Sequence, residues 1–308
     1  MRKYKPSVLV GITTYGRGRI KHLRSVVESV MAQTIEPLGI IVVDNSSNPE
    51  TARALSEYPK VIYVDPGENV GPAGGYHIVI KRARDIPEAD YLLILDDDSM
   101  LCVNDALETY IRYFERIRAK EPSLGALTCT RGESTISLKI VGRKFVKCEP
   151  TDEPVEIHLC GNSGLFISRD VFSVVNYRKE LFFGTEDFTF CVDIIAKGFK
   201  IYILKDKMIR FCVKQVPHEA SHTFLGKRIL IYSPWRTYYT FKNYMMLIIL
   251  HAKIIPRFNI FSLKLLLMIP LYLMFGHPKQ SYYALLGIID FLRGRMGKRF
   301  EPGGYDEN

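Results

Sequence analysis

The chain has 308 residues, of which 47% are hydrophobic, and a mean hydropathy near zero, so it can bury a large core and is not a disordered chain. Its 6 cysteines are scattered with no CxxC pair, which excludes a zinc-ribbon or disulfide scaffold and fits reduced thiols. The formal net charge of +9 is concentrated in the last third, where the many Lys and Arg between Lys197 and Arg299 face only Asp206, Glu219 and Asp290.

The start, "MRKYKPSVLVGITTYGR", is charged, but its apolar run is one strand long and leads into Arg17 and Arg19, so no secretory leader is expected. "SVLVGIT" (7–13) reads as a strand. "RIKHLRSVVESVMAQ" (19–33) has helical spacing through Ile20, Leu23, Val26, Val27 and Val30. "LGIIVVD" (38–44) is a buried strand ending on an acid, and "NPETARALSEY" (48–58) is a short helix capped by Asn48 with Pro49 in its first turn. "KVIYV" is a strand, "PAGGYHIVIKRAR" a helix, and "YLLILDD" the next strand. This βαβαβαβ order predicts an α/β fold with a mostly parallel sheet flanked by helices. Further on come a helix over 103–119, with Ser99 available as its cap, shorter strands near 125–130, 136–141 and 163–168, a helix from Asp187 to Lys197, and the strand "FKIYIL". From about residue 226 the chain becomes aromatic, apolar and basic. The expected organisation is an α/β domain over 1–225 and a helical extension over 226–308.

The strand "YLLIL" runs straight into Asp96, Asp97 and Asp98. Three adjacent carboxylates at the end of a buried strand repel one another and require a positive charge. Ligands of open parallel sheets bind beyond the carboxyl ends of the strands, and Asp44, "GENVGPAGG" and Asp96 to Asp98 all fall there.

The ordered set "GITTYGR", "VVDNSS", "NVGPAGG", "LLILDDDS", "GNSGLFISRDVF", "FFGTEDFTFCVDIIAKGFKI", "VPHEASH", "WRTYYTFKNY" and "GIIDFLRGRMGK" resembles the family-2 glycosyltransferases of the GT-A fold. Within them it is most similar to the rhamnosyl- and galactofuranosyltransferases. The resemblance spans nearly the whole chain and rests on the set, since no single motif is decisive.

The resemblance implies a nucleotide diphosphate-sugar donor, UDP- or dTDP-linked, and a divalent cation. Mn²⁺ and Mg²⁺ are hard ions that take carboxylate oxygens and substrate phosphates. If the segment stays extended, Asp96 and Asp98 lie on one side and can act together. By the family pattern Asp96 faces the ribose and contributes to the metal site, Asp98 binds the metal, and Asp97 is undecided. Asp44 would accept from a pyrimidine NH, Thr13, Tyr15 and Arg17 would pack on the base, and Asn69 would contact the nucleotide. Gly74, with Gly71 and Gly75, would shape the donor-sugar pocket, where free amide groups at a helix N-terminus favour anions. His218, preferred over His222, would complete the metal site.

The resemblance also makes Asp187 of "GTEDF" the base that takes the proton of the acceptor hydroxyl. Glu186 would orient the acceptor, and Gly161, Asn162 and Trp235 would border it. Both acids open a helix, where negative charge is favoured in any case.

In the last third, "YMMLIILHAKIIP" and Ile260–Phe275 are too short and too interrupted to span a bilayer, which takes about 20 apolar residues. They predict helices lying at an anionic membrane surface, gripped by Arg293, Arg295, Lys298 and Arg299. An apolar subdomain serving a homo-oligomer is the other use of such a surface, and nucleic acid is not expected as a partner.

The expected function is inverting transfer of a sugar, rhamnose or galactofuranose, to a hydroxyl of a glycan or lipid-linked glycan. The expected location is cytoplasmic, at the inner face of the membrane. Two alternatives share the fold: a polyprenyl-phosphate glycosyl synthase, whose phosphate acceptor needs no base, and a non-catalytic scaffold.

Overall fold

The first half of the chain alternates strands and helices: β1 (Val8–Thr14), α1 (Ile20–Met31), β2 (Gly39–Asp44), α2 (Pro49–Leu55), β3 (Val61–Val64), α3 (Gly71–Arg84) and β4 (Tyr91–Asp96). These come from a computed structural model that describes residues 6–130, 136–142, 144–212, 220–224, 226–250 and 260–301. β1 and β2 are buried along their whole length and β4 up to its last residue, so helices must cover both faces. α1 does so on one face with Leu23, Val26, Val27 and Val30, the residues its spacing singled out. α2 begins as expected: Asn48 Oδ1 accepts from Glu50 N at 3.1 Å with Pro49 in the first turn.

The chain continues through β5 (Ser99–Leu101), α4 (Ala106–Arg118), β6 (Leu124–Thr130), β7 (Ser137–Val141), β8 (Lys144–Lys147), β9 (Val155–Ile157), β10 (Leu159–Cys160), β11 (Leu165–Ser168), α5 (Arg169–Val174), α6 (Glu186–Ala196), β12 (Lys200–Lys207) and β13 (Ile209–Phe211). The hairpin β14 (Ala220–Phe224) and β15 (Lys227–Ile231) precedes α7 (Pro234–Leu250), α8 (Ile260–Met274) and α9 (Pro278–Leu292). The main sheet has the order β3-β2-β1-β4-β11-β6-β12-β9. β3, β2, β1 and β4 are mutually parallel, and β11 runs antiparallel between β4 and β6. The strand order reverses between β1 and β4, so a crevice opens at their carboxyl ends.

Three expectations change. Ser99 does not cap the following helix: it lies in β5, paired with β13, and α4 starts later, at Ala106, after an Asp105 cap with no side-chain bond. The composition break near 225 is not a packing boundary. Tyr244, Leu247 and Ile248 of α7 belong to the same buried cluster as Ile167 of β11 and Ile194 of α6. Three of the four C-terminal cations are engaged within the chain, Arg295 and Arg299 with Asp290 and Lys298 with Glu301.

The candidate donor and acceptor site

Register places the ends of three strands side by side: Thr13 lies beside Asp96 and Thr14 beside Asp44. The chain then turns at Asp97 and Asp98 before β5. That turn separates the acids that an extended segment would have aligned. Asp96 points toward α3 and β11, where its Oδ1 accepts from Tyr76 OH at 2.6 Å and its Oδ2 from Ser163 Oγ at 2.6 Å. Asp97 Oδ2 accepts from Thr14 Oγ1 at 2.7 Å. Arg19, which opens α1, lies 3.1 Å from Asp98 Oδ2 and 3.7 Å from Asp97 Oδ1. Asp97 and Asp98 are thus the pair that shares one cation.

Arg19 does not fully offset the charge. Burial first, then the neighbouring acids, push Asp97 up to about 7 against the pull of Arg19 and Thr14. Asp98 is raised by burial and by Asp96, again against Arg19. The corner is short of positive charge and offers hard carboxylate oxygens, which suits Mg²⁺ or Mn²⁺. Among the described residues no three His, Cys, Asp or Glu form a ready-made ligand set. Such ions commonly take one or two carboxylates and complete their shell with water and substrate phosphates. His218 lies outside the described residues. His222 does not face the acids: its Nε2 is 2.8 Å from His277 Nε2, and its ring stacks on Phe275.

Asp44 is fully buried and accepts four hydrogen bonds, from Ser46 N at 2.9 Å, Ser46 Oγ at 2.5 Å, Asn48 N at 3.2 Å and Tyr63 OH at 3.0 Å. These fill the acceptor sites of a carboxylate. As placed, Asp44 braces the turn after β2. Thr13 is buried and Tyr15 half-buried at the end of β1, while the Arg17 side chain is outside the described set.

The glycines at α3 serve close packing. A Cβ on Gly75 would lie 2.6 Å from Thr13 Cγ2, and Gly71, with φ +70°, approaches Phe182 O too closely for any side chain. Gly74 packs on Val70 in the same way. The free helix amides expected there are in use: Gly71 N donates to Asn69 Oδ1 at 2.9 Å, Ala73 N donates to Phe182 O at 3.2 Å, and Pro72 has no N–H. Asn69 also donates to Glu301 at 3.0 Å, so it ties α3 to the C-terminal segment.

Across the crevice, α6 begins with Glu186 and Asp187. The approach is strained: Phe182 and Thr185 have φ of +62° and +63°, conformations that non-glycine residues avoid at a cost of order 1 kcal/mol each. Asn243 of α7 holds this loop by donating to Leu181 O, Phe183 O and Gly184 O at 2.9, 2.7 and 2.9 Å. Trp235 packs edge to face on Phe183, so it borders this loop. Glu186 has an enclosed Oε2 with no hydrogen-bond partner among the described residues. Burial, then Asp187 and more distantly Asp96, push its carboxyl up to about 8. Asp96 is thus near enough to Glu186 to act on its charge. Gly161 is buried, and Asn162 Oδ1 accepts from Tyr177 OH at 2.7 Å beneath the site.

Several contributing residues carried no sequence signal of their own. Arg19 looks like an ordinary helix-start cation, Tyr76 and Ser163 like core positions, and Asn243 like one polar residue in an aromatic helix. Only the fold brings them to the acids.

The fold, with its carboxylate-lined switch point, is that of the GT-A glycosyltransferases. Residues 9–129 match the profile of "Glycosyl transferase family 2". It is 23% identical over 245 residues to an uncharacterized glycosyltransferase of Methanocaldococcus jannaschii, a match over 78% of this chain and 80% of that one. It is 25% identical over 244 residues to the dTDP-rhamnosyl transferase RfbF of Shigella flexneri, over 77% of this chain and 78% of that protein. Among solved structures it is similar to a mannosyltransferase of Pyrobaculum calidifontis determined with GDP-Man and Mn²⁺. That match has a TM-score of 0.55 at 14% identity and covers 94% of this chain and 76% of that one.

Proposed function

We propose that the protein transfers a deoxysugar, rhamnose by preference over galactofuranose, from a dTDP- or UDP-linked donor to a hydroxyl of a glycan or lipid-linked glycan, with inversion. The single observation behind this reading is the opposition of Asp96–Asp98 at the switch point to Glu186–Asp187 at the α6 N-terminus, in one charged site. The preference for rhamnose rests on the similarity to the dTDP-rhamnosyl transferase.

Asp98 would hold the divalent cation, joined by His218 as the family resemblance implies, while Asp96 is turned away from it. When bound, such a cation supplies positive charge that stabilises the leaving diphosphate. Asp96, oriented by Tyr76 and Ser163, would face the nucleotide ribose, as the family resemblance implies. Thr13 and Tyr15 at the β1 end would flank the base. Two adjacent carboxyls in one enclosed site do not both ionise readily, and Glu186 is the one held protonated at neutral pH. Glu186 then donates a hydrogen bond to the acceptor, and Asp187 takes the acceptor's proton. The acceptor oxygen forms its bond to the anomeric carbon as the bond from that carbon to the diphosphate oxygen breaks, which inverts the centre.

The test is calorimetric titration of dTDP and UDP, with Mn²⁺ and with EDTA, into the protein and into Asp98→Ala. Metal-dependent binding that Asp98→Ala abolishes is the expected result, with the tighter nucleotide naming the donor. A folded protein that binds neither nucleotide in the presence of Mn²⁺ overturns the reading.

A further inference from the structure

Beyond residue 260 the described chain is a helical hairpin, α8 and α9, whose outward faces are apolar. On α9 the exposed side chains Tyr282, Leu285, Ile289 and Leu292 recur every three or four residues along one face. The opposite face, with Ser281, Ala284, Gly287 and Asp290, is buried. Gly287 comes so close to α7 that a Cβ would lie 2.5 Å from Tyr238 O. On α8, Leu266, Leu267, Leu273 and Met274 are between 50% and 59% exposed. Scattered exposed leucines need no explanation, but two adjoining helices with this pattern do.

Charge indicates what covers the face. Exposed Lys279 and Arg293 bracket the α9 stripe. The acid within the hairpin, Asp290, is buried and bonded to Arg299 and Tyr238, so it does not reach the face. Apolar side chains framed by cations, with a tyrosine among them, match the headgroup boundary of an anionic bilayer. A symmetric contact with a second copy would instead bring like charges of the two α9 stripes together. α8 has 15 residues and is about 22 Å long, short of the roughly 30 Å of hydrocarbon that a span must cross. Among the described residues no helix is long and apolar enough to cross a membrane.

We propose that the outward face of the α8–α9 hairpin rests in the headgroup region of an anionic lipid bilayer. This stands independently of the donor chemistry. The test is co-sedimentation of the full chain with vesicles of phosphatidylcholine alone and of phosphatidylcholine with phosphatidylglycerol. It is repeated for the combined variant Leu266→Gln, Leu285→Gln, Ile289→Gln and for the control Val174→Gln, an exposed apolar residue elsewhere. All these positions are exposed, so the variants should melt with the parent. The expected result is binding to the phosphatidylglycerol vesicles that the combined variant weakens roughly a hundredfold and the control leaves unchanged. Binding that survives the combined variant overturns the assigned face. Equal binding to both vesicles overturns the anionic part. No vesicle binding overturns the proposal. If in that case sedimentation equilibrium shows an oligomer that the combined variant dissociates, the face is a contact between copies.

Discussion

The two acid clusters that face each other across the crevice are neutralised in different ways. Asp96, Asp97 and Asp98 are dressed by the fold itself: Tyr76 and Ser163 on the first, Thr14 on the second, Arg19 shared by the second and third. Glu186 has an enclosed oxygen with no partner among the described residues and follows a strained loop that another helix holds. A site proposed to receive a divalent cation can be balanced in part by an arginine, because both carry positive charge. The second cluster instead leaves a buried carboxyl oxygen uncommitted, beside the acid proposed to take the acceptor's proton, and that costs stability.

The largest effect separates the clusters by role. Asp187→Asn should lower kcat by about 10³-fold or more and leave the calorimetric affinity for nucleotide unchanged. A comparable loss of nucleotide affinity would merge the two clusters into one binding site. Next, Asn243→Ala should release the loop before Glu186. The expected result is a fall of about 10²-fold in kcat with little change in the donor KM, because a misplaced base costs rate more than binding. Unaltered kcat would mean the loop holds its shape without α7.

The third effect is on stability. Asp97, raised to about 7, and Glu186, raised to about 8, both bind protons more tightly in the folded chain than an ordinary carboxyl does. Their contribution is therefore complete in mild acid and is lost as pH rises from about 4 through 8. Melting in EDTA should shift downward between pH 5 and pH 8.5. Asp97→Asn should flatten that fall by on the order of 2 kcal/mol, read from denaturant unfolding. The smallest effect is at Arg19. Arg19→Gln should cost about 1 kcal/mol at pH 8 in EDTA, and Mn²⁺ should restore most of it. A loss that Mn²⁺ does not touch would separate the arginine from the cation site.

The sequence discloses much of this fold because strands buried on both faces and helices with one apolar stripe write their period directly. β1 to β4, α1 and the Asn48 cap appear where the pattern puts them. It discloses less of the site because side-chain partners come from distant segments. The turn at Asp97 that splits the three acids, the four donors that occupy Asp44, and the packing that consumes Gly71, Gly74 and Gly75 are products of tertiary contact. Even the break in composition at 225 misleads, since an aromatic, basic helix reads the same whether it faces lipid or, like α7, fills the core beneath the sheet.

Asn243 has a further consequence for the order of assembly. The residues proposed to bind a nucleotide are made early, and the loop that leads to Asp187 waits for a helix some sixty residues downstream to dock. A chain emerging from the ribosome can complete its first sheet and hold a donor before that helix exists. Competence to spend the donor arrives last, together with the helical hairpin proposed to meet the membrane where the acceptor would lie.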